Sequence, residues 1–164
     1  MLKNDDTLLN ELLSDENLKI AKQRVKKNKG ASGIDGMEVK ELDEYLSKHL
    51  DEIKEQIRNK KYSPKPVKRV EIPKPDGGVR NLGVPTVVDR FVQQAIAQVL
   101  TPIYEPKFSE SSYGFRPNRC CEMAIQKALE FMNDGYQWVV DIDLEKFFDN
   151  VNHGKLLRQI WTMG

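Results

Sequence analysis

Four consecutive residues, Pro75-Asp76-Gly77-Gly78, constrain the fold of this chain more than any other stretch. Proline presets φ at the first corner of a turn, aspartate bonds its own downstream backbone, and glycine accepts a positive φ without steric penalty. On one side Val70 and Ile72 alternate with charged residues, and on the other Val79 to Val84 reads as a return strand. The pattern predicts a β-hairpin over about residues 66–85 with basic residues on both arms. Most of the chain around it reads as helix, so the expected class is α+β.

The helical signals are local. Thr7 is expected to open a short helix through Leu13, and Ser14 to cap a second, basic helix ending near Gly30. GASGIDG, residues 30–36, then breaks the pattern. Val39, Leu42, Leu46, Leu50, Ile53 and Ile57 recur at spacings of three and four, which predicts an amphipathic helix over about 37–59 with those residues in the core. Thr86 opens an apolar helix over about 87–101 that carries Phe91, Ile96, Val99 and Leu100. SSYGFRPNR reads as loop, residues 119–133 as helix, Val139, Val140 and Ile142 as a strand, and Asn152 to Trp161 as a last helix.

With 164 residues the chain is about one domain in size. It has no run of 18 apolar residues, so a membrane span is not expected. The start, MLKNDDTLLNELL, is too acidic for a secretory signal. Cys120 and Cys121 are adjacent, without CxxC spacing or a nearby His. They read as two structural thiols of a reducing cytosol rather than zinc ligands. Net charge is only +1, but its sign is segregated. Residues 19–30 hold six Lys/Arg and no acid, residues 58–80 hold eight Lys/Arg against two acids, and residues 35–55 hold eight acids against three lysines. An oriented basic surface and a set of solvated helix faces explain this equally well.

The segment VVDIDLEKFFDNV, residues 139–151, sets carboxylates among strand-forming residues. On a strand Asp141 and Asp143 would share a face. Carboxylates in such a setting pair, cap or hold a cation. Asp149 reads most simply as the cap of the helix after it, and Asp141 as a structural acceptor. Together with Lys74 and Arg80 around the turn and with Arg116 and Arg119 in the loop, the set suits phosphoryl transfer, which needs carboxylates for Mg²⁺ and cations for a polyphosphate. Taken singly, Lys74 and Arg80 are equally solvated hairpin charges, and Arg116 and Arg119 equally partners in surface ion pairs.

The ordered set resembles the reverse transcriptase domain of group II intron-encoded proteins. GASGIDGMEVKEL resembles the family's N-terminal extension motif. IPKPDGGVRNLGVPTVVDRFVQQAI resembles its first conserved block, SSYGFRPNR its second, and WVVDIDLEKFFDNVNH its third, which carries the first catalytic aspartate of the palm. The resemblance implies a reverse transcriptase fingers subdomain plus the first palm strand of a right-hand polymerase. It makes residues 1–30 an N-terminal helical extension, 31–118 the fingers, and 119–164 the truncated fingers–palm junction. Asp143 becomes the catalytic, metal-binding aspartate, and Leu144 offers its backbone carbonyl to the second of two Mg²⁺ ions. Lys74, Arg80, Leu144 and Phe148 bind the incoming nucleotide, with Phe148 beneath the sugar and Phe147 turned toward the palm core. Leu82, Val84, Pro85, Arg116 and Arg119 contact the template.

The same resemblance implies an RNA-directed DNA polymerase of a bacterial cytoplasm, nucleoid-associated, that also assists splicing and mobility. Its partners would be intron RNA, template–primer, target DNA and deoxynucleoside triphosphates. The family's other aspartates lie in a Y-x-D-D hairpin beyond this third motif. Asp5-Asp6, in a polar N-terminus, cannot replace them. The chain is therefore expected to be an inactive N-terminal fragment of an active parent, with an unpaired sheet edge that invites homodimer pairing. The alternatives are a CRISPR-associated, retron or diversity-generating reverse transcriptase, or a non-catalytic RNA-binding module of the same fold.

Overall fold

The computed structural model describes residues 5–75, 77–144 and 146–163, apart from the side chains of Asp5, Asp6, Asp149, Trp161 and Met163. It divides into two compact units, one ending at Pro102 and one beginning at Ile103. The break falls inside the expected 31–118 stretch and inside a helix. Pro102 has no N–H to donate back to the preceding turn, so the ladder is interrupted there.

The first unit is a helical core that carries a hairpin. Helix α1 spans Asp5–Leu12, so Thr7 lies inside the helix rather than capping it. Ser14 does cap α2, Asp15–Asn28, where its Oγ accepts from the Asn17 amide at 3.2 Å. A 3₁₀ turn at Val39–Glu41 leads into α3, Leu42–Arg58. The Glu41 carboxylate accepts from the Glu38 amide at 2.7 Å, which fixes the entry angle. Helix α4 spans Val87–Tyr104. Leu18, Ala21 and Val25 of α2, Leu42, Leu46 and Ile53 of α3, and Val87, Phe91, Val92 and Ala95 of α4 form one buried cluster. Val39, Leu50 and Ile57 pack against it, as their spacing predicts. Asn17 ties α2 to α4. Its side-chain amide donates to the Ala95 carbonyl at 3.2 Å and accepts from Gln98 at 2.6 Å.

The segregated charges meet one another inside this unit. Asp43 of the acidic run pairs with Lys22 at 3.0 Å and with Lys26, and Lys54 pairs with Asp15 at 2.6 Å. The hydrogen bond from Lys26, followed by that from Lys22, holds the Asp43 carboxyl below its ordinary range. Part of the basic 19–30 run is therefore neutralised by α3.

Strands β1, Lys68–Pro73, and β2, Val79–Val84, form the expected hairpin as a two-stranded antiparallel sheet running from Lys68 opposite Val84 to Pro73 opposite Val79. Asp76 lies outside the described residues. Gly77 takes the positive φ of the turn, at 85°, and its amide donates to the Lys74 carbonyl at 3.1 Å.

The base of the hairpin is held from inside. Asp89, in the first turn of α4, is 4% exposed. Its carboxylate accepts from the Tyr62 hydroxyl at 2.7 Å, the Lys65 amide at 3.2 Å and the Thr86 hydroxyl at 2.6 Å. Thr86 Oγ1 in turn accepts from the Asp89 amide at 3.1 Å, a reciprocal helix cap. The 30–36 loop lies against the same place. A Cβ on Gly33 would stand 2.6 Å from Thr86 Cα and 2.8 Å from its nitrogen. Gly33→Ala is thus expected to destabilise the fold by about 1 to 3 kcal/mol, because backbone has to move. Urea unfolding checks this, and an unchanged midpoint would refute it.

Burial, and then the bond to Asp89, raise the Tyr62 pKa above its ordinary value of 10.0. A raised pKa stabilises the fold fully below that ordinary value. The contribution is lost as pH rises from it toward the folded value, since the unfolded chain then ionises first. The wild-type melting temperature should therefore fall more steeply than that of Tyr62→Phe above about pH 10. Parallel melting curves would disprove the linkage.

The second unit holds a 3₁₀ turn at Glu105–Lys107, α5 at Cys121–Asn133, α6 at Phe147–Asn150 and α7 at His153–Met163. The Tyr104 hydroxyl donates to the Ile160 carbonyl at 2.9 Å. No described residue of this unit is buried. The expected strand at 139–143 is not formed. A strand exists only through hydrogen bonds to a neighbour, and no described segment pairs with it. Trp138, Val139, Val140 and Ile142 are instead 95, 81, 82 and 82% exposed. Cys120 and Cys121 are free and exposed, not structural thiols of a core. Asn152 caps α7 by accepting from the Lys155 amide at 3.0 Å. Asp149, expected to be that cap, belongs to α6, and its side chain lies outside the described residues.

Candidate nucleotide and template site

Residues on alternate positions of a strand share a face. The register sets Arg80, Leu82 and Val84 of β2 opposite Ile72, Val70 and Lys68 of β1. Lys74, two residues past Ile72, continues that face into the turn. The hairpin thus carries an apolar strip with two cations at its tip and one at its base. Val70, Ile72 and Leu82 are 37, 43 and 42% exposed, so the strip is uncovered. Lys74 and Arg80 are exposed, while Val84 and Pro85 are half-buried where β2 enters the clamp around Asp89. Four residues expected to act on nucleotide and template, Lys74, Arg80, Leu82 and Val84, therefore do lie together.

Asp143, Leu144 and Phe148 belong to the second unit, along with Arg116 and Arg119. Asp143 is exposed, and its Oδ1 accepts from the Leu144 amide at 2.9 Å. Without a strand, alternation no longer sets Asp141 and Asp143 on one face. Glu145 lies outside the described residues. Lys146 then takes a left-handed conformation, φ 47° and ψ 42°, which turns the chain into α6. Phe147 and Phe148 sit at its start with ring centroids 5.4 Å apart and are 50 and 87% exposed. Both line one open groove of about 700 Å³ with Asn152, His153 and Leu156. Phe147 therefore does not turn away from Phe148 into a core, since none of the described residues of this unit is buried. Asp143 supplies one hard oxygen donor that suits Mg²⁺. Among the described residues no cluster of three potential ligands surrounds it.

The loop 113–119 divides its two arginines. The Arg116 side chain is 8% exposed and pairs with Glu105 at 2.8 Å. It also donates to the carbonyls of Ser109 at 2.6 Å and Ser112 at 2.9 Å and lies over the Phe108 ring. A guanidinium spent on its own loop is not available to a template, so Arg116 braces the loop. Arg119 donates to the Glu110 carbonyl at 3.2 Å and lies over the Tyr113 ring. Phe115 escaped sequence reasoning. It is fully exposed with φ 55°, a strained value for a bulky residue. Its only signal in the sequence is the Gly114 before it and the Pro117 after it. Asp89 was missed as well. Its signal, Thr-x-x-Asp ahead of an apolar helix, was present at 86–89.

Comparison with known proteins bears on the same elements. Protein YkfC of Escherichia coli (strain K12) is 37% identical over 139 residues, covering 81% of this chain and 36% of that protein. Group II intron-encoded protein LtrA of Lactococcus lactis subsp. cremoris is 35% identical over 139 residues, covering 84% of this chain and 23% of that protein. The chain thus spans about a third or less of the length of these relatives. A solved structure described as a Cas6-RT-Cas1--Cas2 complex superposes on 95% of this chain and 16% of its own, with a TM-score of 0.56 at 23% identity, and so shares the fold. Residues 72–164, which take in the turn and return strand of the hairpin, the braced loop and the Asp143 turn, match the family described as reverse transcriptase (RNA-dependent DNA polymerase). More than half of the chain is matched, with the expected α+β fold and with group II intron-encoded relatives, and the chain belongs to the reverse transcriptase family.

Proposed function

We propose that this chain is the fingers and the start of the palm of an RNA-directed DNA polymerase of the group II intron type, which also binds intron RNA and assists its splicing. The observation that carries the reading is the uncovered hairpin face, on which two cations and an apolar strip stand together. Lys74 and Arg80 hold the triphosphate of the incoming deoxynucleotide. Leu82, Val84 and Pro85 pack against the templating base, and Arg119 meets the template backbone. Phe148 lies under the sugar. Reverse transcriptases generally use Mg²⁺, which activates the primer 3′-hydroxyl and stabilises the leaving pyrophosphate. Asp143 and the Leu144 carbonyl would hold part of that site, and further carboxylates would have to complete it. RNA meets the hairpin together with the lysines of 19–30 that α3 leaves free.

Primer extension on an RNA template tests the reading. The whole reading frame should extend a primer with deoxynucleotides and Mg²⁺, and the 164-residue chain should not. The chain alone should bind RNA weakly, with an affinity that drops steeply as salt rises. A whole protein that binds RNA without synthesis would instead be a non-catalytic binding module. Templated synthesis by the 164-residue chain would overturn the fragment reading.

A further inference from the structure

The hairpin tip can act on a triphosphate only if the hairpin is aimed, and a two-stranded ribbon with both faces exposed does not aim itself. Its orientation has to come from its base. The two legs of the hairpin are far apart in sequence and converge on one buried side chain. Tyr62 and Lys65 precede β1, Thr86 follows β2, and all three donate to the Asp89 carboxylate. Asp89 is itself fixed by the first turn of α4, whose Val87, Phe91 and Val92 are core. The junction is wedged from a second side. Gly33 abuts the Thr86 backbone, Lys65 Nζ lies 3.4 Å from the Asp35 carboxylate, and Arg90 donates to the Ala31 carbonyl at 2.8 Å. The 30–36 loop therefore presses the legs onto the carboxylate that joins them.

We infer that Asp89 is a positioning residue for nucleotide binding. From inside the core it sets the angle of the hairpin and hence the reach of Lys74 and Arg80. The inference rests on the proposed function, but its structural half stands alone. The carboxylate geometry matters because two oxygens serve three donors. Asn in its place keeps the shape yet presents an N–H toward a donor. Misaiming by about 1 Å at the tip is enough to lose about one to two decades in rate.

Two measurements separate the outcomes. The first is hydrogen exchange on the 164-residue chain carrying Asp89→Asn. Amides of 68–72 and 79–84 should exchange at least about tenfold faster, while those of α2 and α3 keep their protection. Should Asp89→Asn fail to fold, Tyr62→Phe, which deletes one donor and leaves the charge, takes its place with the same expectation. The second is steady-state kinetics of the whole protein. The variant should raise KM for deoxynucleotides about 10- to 100-fold with template–primer affinity unchanged. Combined with Arg80→Ala, it should add little further loss, because a misaimed arginine is already wasted. Unchanged hairpin exchange, or uniform loss of protection across α2 and α3, would overturn the inference. A loosened hairpin with normal nucleotide KM would leave Asp89 as the anchor of the hairpin and overturn instead the nucleotide role given to the tip.

Discussion

In the whole protein, Asp143→Asn is expected to cut RNA-templated primer extension by at least about a thousandfold, roughly 4 kcal/mol of transition-state stabilisation. The substitution keeps the shape of the side chain and removes the charge that a divalent cation needs. Asp143 is exposed, and the Leu144 amide donates to one of its carboxylate oxygens. Asp141 has no assigned metal, so Asp141→Asn should lower the rate by less than about tenfold. Primer extension under single-turnover conditions, with folding of each variant checked by circular dichroism, decides the matter. Near-normal synthesis by a folded Asp143→Asn protein would remove Asp143 from the metal site.

Arg80→Ala is expected to lower kcat/KM for deoxynucleotides by about one to three decades, or roughly 1.4 to 4 kcal/mol, with template–primer affinity nearly constant. Arg80 stands opposite Ile72 on the face that Lys74 extends, so two cations share one end of an exposed ribbon. At such a site a phosphate is held by charge and by a forked guanidinium. Lysine at position 80 should therefore restore only part of the loss. The opposite pattern, a large drop in template–primer affinity with unaltered nucleotide kinetics, would make Arg80 a backbone contact.

The elements that sequence alone determined are those whose causes lie within a few residues. Ser14 and Thr86 cap their helices because a hydroxyl reaches an amide three residues on. Leu42, Leu46, Leu50, Ile53 and Ile57 form the inner stripe of a helix because 3.6 residues make a turn, and the hairpin follows from its glycine turn. Chain order was enough to bring Lys74, Arg80, Leu82 and Val84 to one face, since alternation is a property of the strand itself.

Tertiary structure decided what depends on a partner far along the chain. Val139 to Asp143 has the composition of a strand, but a strand needs a neighbour's backbone, and no described segment supplies one. Phe147 and Phe148 stay exposed, in a unit where none of the described residues is buried. Arg116 and Arg119 look alike in sequence. One folds inward because Glu105 and the carbonyls of Ser109 and Ser112 lie within its reach, while the other donates to the Glu110 carbonyl and lies over the Tyr113 ring. Asp89 carries only a local signal in the sequence, its spacing from Thr86. It became the joint of the hairpin only when Tyr62, Lys65 and Thr86 were carried to it, because a buried carboxylate must find its donors wherever the fold can bring them.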